Sequence, residues 1–107
     1  MSQTLSPKAK IKGYLSLAAK AGKLALGQDA IVQAAQAKSA ALLLLDEQAG
    51  KNTADRIKRL AAHHEIPLIL IEDLGTGIGK HGSMAAALQD KGLGGAILAL
   101  AGQEEPK

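Results

Sequence analysis

No cysteine occurs among the 107 residues, so a disulfide framework, a thiolate metal site and thiol redox chemistry are all excluded. Phe and Trp are absent as well, and Tyr14 is the only large aromatic side chain. Proteins that hold single strands by stacking bases on rings gain about 1–3 kcal/mol per base in that way. This chain lacks the rings, so any nucleic acid it holds is gripped through backbone, charge and shape. Long apolar runs are missing too, none approaching the ~20 residues of a membrane helix, and no membrane partner is expected. Residues 1–10 are polar, carry Lys8 and Lys10 and lead into no apolar signal segment, so the expected compartment is the cytoplasm. Negative charge is in mild deficit: 13 Lys and Arg against 10 Asp and Glu give a net charge of +3. That suits a polyanionic partner without demanding one.

What is present is aliphatic. Hydrophobic residues make up 47% of the chain, and with so few rings the core must be built from Leu, Ile, Ala and Val. The length fits one domain, expected over residues 9–102, with a flexible N-terminus at 1–8 and a tail at 103–107.

Periodicity places the elements. Ile11, Tyr14, Leu15 and Ala18 follow the i, i+3, i+4, i+7 spacing of an amphipathic helix over residues 9–21, stopped at Gly22. Residues 23–26 read as a short extended stretch. Gly27 then opens a second helix reaching Lys38, with Ile31, Ala34 and Ala35 as its apolar stripe. Residues 40–45 are continuously apolar, the signature of a strand covered on both faces, and residues 46–50 read as polar loop. Asn52 or Thr53 is the expected cap of a third helix with Ile57, Leu60, Ala61 and His64 inside, ending before Pro67. Residues 68–71 form a second apolar strand, residues 74–82 are glycine-dense, residues 84–88 form a further strand, and residues 93–101 a last helix. Helices alternating with apolar strands imply an α/β fold whose sheet is covered on both faces.

Several motifs invite a chemical reading. Gly77, Gly79 and Gly82 satisfy GxGxxG, whose glycines permit a tight turn and close approach to a pyrophosphate, but no acidic residue stands ~20 residues beyond in a second strand. Gly79 and Lys80 lack the Walker spacing and its following Ser or Thr. His63, His64 and Glu65 lack an HExxH frame. No GxSxG elbow and no nucleophile–base constellation is present, so no enzyme and no cofactor or metal is expected. Lys51, Arg56, Lys58 and Arg59 read first as a solvated helix face, and as an auxiliary extension of a nucleic-acid footprint.

The order of elements and four strings, LSLAAKAGKLAL before Gly27, LLLLDEQAGKNT, EIPLILIE and LGTGIGK, resemble the ribosomal protein seven-Ae and thirty-e family and its small bacterial relatives, over roughly residues 10–100. The resemblance implies a three-layer α/β/α sandwich around a central mixed sheet of about four strands. It implies structured RNA as partner, a kink-turn or similar bend, with ribosomal RNA as one candidate; no DNA partner is expected, and a monomer is the default expectation. The RNA contacts implied are Gly27, Gln28, Asp29, Ala30 and Gln33 at the start of the second helix, Glu47 after the first buried strand, and Lys80, His81, Gly82, Ser83 and Met84 before the last strand. Where the strongest members carry Asn, Glu and Lys at the helix start, this chain has Asp29, Ala30 and Gln33. Asp29 brings no amide donor and Gln33 no cation. The first site is physically apt nonetheless, because glycine admits close approach and free amides at a helix N-terminus favour acceptors and anions. Two rival readings remain at this point: a small nucleotide-binding domain using the glycine-rich loop from Gly75 to Gly82, and a protein-interaction adaptor.

Overall fold

The computed structural model describes residues 6–80 and 82–103. Nine elements follow one another: α1 (Pro7–Lys20), β1 (Leu24–Leu26), α2 (Gln28–Gln36), β2 (Leu42–Asp46), α3 (Lys51–His64), β3 (Leu68–Ile71), α4 (Leu74–Ile78), β4 (Ala85–Leu88) and α5 (Lys91–Gln103). The four strands form one mixed sheet in the order β1-β4-β2-β3. β2 runs parallel to β3 and antiparallel to β4, which is in turn antiparallel to β1.

β2 explains the architecture. Its side chains alternate between the two faces, and both faces are covered, so all five of its residues are buried. Leu42 and Leu44 pack with Ile11, Leu15, Leu74, Ile78, Ile97 and Leu100 in the layer of α1, α4 and α5. Leu43 and Leu45 pack with Ile31, Ala34, Ile57 and Ala61 in the layer of α2 and α3. The result is an α/β/α sandwich with a four-stranded mixed sheet, as the sequence led one to expect. Each buried leucine contributes roughly 1.5–3 kcal/mol relative to an exposed one. Gly94 lies where α5 crosses the start of β2, and a Cβ there would meet Ala41 Cβ at 3.2 Å. The helix approaches that closely because the side chain is missing.

Several expectations are corrected in detail. α1 starts at Pro7, inside the segment read as a flexible arm, because Ser6 Oγ accepts from the Ala9 amide at 3.2 Å and proline suits the first helical turn. α3 is not capped by Asn52 or Thr53. Gly50 is its cap, without a side-chain bond, and Thr53 falls in the first turn. α5 starts two residues earlier than its apolar pattern, because Asp90 Oδ1 accepts from the Leu93 amide at 3.0 Å. β3 is an edge strand rather than a fully covered one, and Leu70 on it is 55% exposed. Asp46, read as the first loop residue, is the buried last residue of β2.

Candidate functional site

Pairing of Leu26 with Ala86, Leu45 with Ala85 and Asp46 with Ile71 puts the C-terminal ends of β1, β2 and β3 and the start of β4 at one end of the sheet. The helices that follow the first three strands, α2, α3 and α4, therefore all begin there. Open α/β sheets offer their ligand crevices at that end.

Gly27 sits at φ 89°, ψ 148°, a backbone region that side chains with a Cβ scarcely enter. This turn lets β1 pass directly into α2, with the Ile31 amide bonding back to the Gly27 carbonyl at 3.0 Å. The amides of Gln28, Asp29 and Ala30 precede that first helical bond and have no acceptor within the helix. Across from them runs the loop into β4, which turns at Gly82 (φ 89°). Its Ser83 amide donates to the Lys80 carbonyl at 3.1 Å, and its Met84 carbonyl accepts from the Asp46 amide at 2.7 Å.

The two segments enclose an open groove of about 300 Å³ lined by Gly27, Gln28, Ile31, Thr53, Gly82, Ser83, Met84 and Ala85. No titratable side chain is among these residues. The groove offers the Gln28 amide, two hydroxyls, one carboxamide and an apolar thioether, a surface that hydrogen-bonds and packs but holds no acid, base or charged nucleophile. Arg56 Nη1 on α3 donates to Gln28 Oε1. With its oxygen so occupied, Gln28 keeps its two N–H groups for a ligand.

Of the residues expected at the site, Gly27, Gln28, Gly82, Ser83 and Met84 thus come together. Asp29 and Gln33 are exposed on an adjacent stripe of α2, and Ala30 is half-buried; none of the three lines the groove. Glu47 lines a separate depression on the other layer, with Lys8, Lys12 and Glu72. Lys80 lines another, beside Ser16, Lys20 and Thr76. His81 lies outside the described residues. Thr53 and Asp46 are not expected from the sequence, whereas Arg56, expected only in an auxiliary extension of the footprint, meets Gln28 directly. Asp46 holds the groove's frame from below: its Oδ2 accepts from the Leu74 amide at 2.8 Å and its Oδ1 from the Gln48 amide at 2.6 Å.

The glycine-rich loop has the wrong order for a dinucleotide site, which needs strand, turn and then helix. Here Gly77 lies within α4, Gly79 (φ 76°) ends that helix, and Gly82 precedes β4. The sequence of elements is helix, loop, strand, so the glycines do not lead directly into a helix.

Comparison with known proteins agrees with this fold. A model of the ribosomal protein L7Ae/L30e/S12e/Gadd45 family matches residues 9–94. The RNA-binding protein YlxQ of Bacillus subtilis (strain 168) is 30% identical over 89 residues, 80% of this chain and 89% of that protein. Among solved structures, a protein of unknown function from Bacillus halodurans C is similar with a TM-score of 0.80 at 30% identity, covering 86% of this chain and 96% of the other. The Giardia lamblia 15.5kD RNA binding protein shares the fold, with a TM-score of 0.72 at 12% identity over 94% of this chain and 89% of the other.

Proposed function

The chain belongs to the ribosomal protein L7Ae/L30e/S12e/Gadd45 family, and from that premise we propose that it is a non-catalytic RNA-binding protein that recognises kink-turn or similarly bent RNA, acting as a monomer, with ribosomal RNA as the class of target. The observation that carries this reading is the single groove formed by Gly27 and Gln28 at the start of α2 and the Gly82–Met84 segment. A bend in RNA splays bases and crowds phosphates, and both features suit such a groove: amide donors and Gln28 meet base edges or phosphate oxygens, while Met84 and Ser83 pack against an extruded nucleotide. With no ring lining the groove, shape and backbone dominate over base identity. The relative named as an RNA-binding protein in Bacillus subtilis supports the ligand class.

Amide chemical shifts followed during titration with a kink-turn RNA test the placement. Perturbation is expected to concentrate at residues 27–31 and 82–85. Perturbation confined to the β3 edge, with these amides unmoved, would contradict it.

A further inference from the structure

A second groove opens beside the first. It runs between α2 and α3, encloses about 500 Å³, and is lined by Gln28 and Gln36 on one wall and Arg56, Arg59 and His63 on the other, over buried Ile57. Gln28 lines both grooves, so the two adjoin at its side chain.

Its charge is one-sided. No carboxyl group is among the lining residues. The acid of α3, Asp55, is turned to Lys51 at 3.6 Å, and the acid of α2, Asp29, does not line the groove. Arg56, Arg59 and His63 follow i, i+3, i+7 and therefore form one stripe. At 1.5 Å of rise per residue the stripe spans about 10 Å, the reach of a few backbone phosphates. Val32, Ile57 and Leu60 give the groove an apolar floor, and the Arg56 and Arg59 guanidinium groups along its α3 edge suit the phosphates of a polyanion.

We propose that the α2/α3 groove is the second half of the RNA site and holds the phosphate backbone of one stem flanking the bend. Arg59 is its phosphate contact. Arg56 serves both halves, contacting phosphate and fixing the Gln28 carboxamide by its hydrogen bond. The inference rests on the RNA-binding reading above and adds to it where a stem leaves the bend.

Arg59 is exposed and makes no ion pair among the described residues, so its substitution spares both the fold and the first groove. Wild type, Arg59→Ala and Arg59→Glu are titrated over a range of salt against a kink-turn RNA and a straight RNA duplex of matched length. The alanine variant is expected to lose about three- to tenfold in affinity for both RNAs, and the slope of log affinity against log salt is expected to fall by about 0.9, one phosphate's worth. The glutamate variant loses more, and the ratio between the two RNAs is kept. Wild-type affinity and slope in both variants would overturn the groove proposal, leaving the wild-type preference for the bent RNA to stand by itself. Loss of affinity and slope in the variants, with no wild-type preference for the bend, would retain the groove and overturn the kink reading instead.

Discussion

Asp46→Ala is expected to destabilise the fold by about 2–4 kcal/mol, a fall in Tm of roughly 10–20 °C for a domain of this size. Asp46 is 4% exposed, and the Leu74 amide that donates to it is itself buried. Removing the acceptor strands that donor away from water, which costs more than the bond's net contribution when made. The Gln48 amide is nearer to solvent, since Gln48 is exposed, and water replaces its partner more cheaply. Asp46→Asn separates the two contributions: one carboxamide oxygen remains to accept, so the loss should be about 1 kcal/mol. Thermal and urea unfolding of the three proteins measures both. Equal stability of all three would refute this account of Asp46. The consequence reaches the site, because the same residue fixes the start of α4 through its side chain and the Met84 carbonyl through its amide.

Gly27→Ala should show the next largest effect, and on two axes. No atom stands within 4 Å of a Cβ added at Gly27, yet its φ of +89° is one that L side chains rarely adopt, so the cost is backbone strain of about 1–3 kcal/mol. Relief of that strain turns the peptide at the start of α2 and moves the amides of Gln28, Asp29 and Ala30. RNA affinity measured well below the Tm of the variant is therefore expected to fall about tenfold or more, equivalent to one or two charge-assisted contacts. A destabilised variant that binds RNA as tightly as wild type would remove the α2 N-terminus from the interface.

How much of this was legible in the sequence depends on the range of the cause. β2 could be read from residues 40–45 because two covered faces leave no polar alternation, and β3 emerged with its observed bounds, Leu68–Ile71. The same apolar pattern could not reveal that β3 is an edge strand, since strand order follows from pairing partners distant in the chain. α1 stops where Gly22 takes a positive φ (72°), a visible signal. α2 and α3 are followed by Lys38 and Glu65 in the left-handed region, at φ 60° and 55°, and no glycine announces either turn. Asp46 was misread for a physical reason: an acid at the end of an apolar run reads as the first exposed residue, and its two backbone donors lie at Gln48 and Leu74. The groove itself joins Gly27 to Gly82–Met84, segments that no local pattern relates; the family resemblance supplied that pairing. It did not supply Arg56, which meets Gln28 only once α2 and α3 pack side by side, nor did it move Glu47 and Lys80 out of the first groove, where the structure places neither.

Selection of bent RNA by shape is the property we propose for this fold. The most direct measurement is the equilibrium affinity of the wild-type protein, at fixed physiological salt, for a kink-turn RNA and for a straight RNA duplex matched in length and charge. Because both RNAs present the same phosphate number, the sequence-independent electrostatic contribution cancels in the comparison. At least tenfold tighter binding of the bent RNA is expected; equal, weak binding of the two would contradict selection by shape.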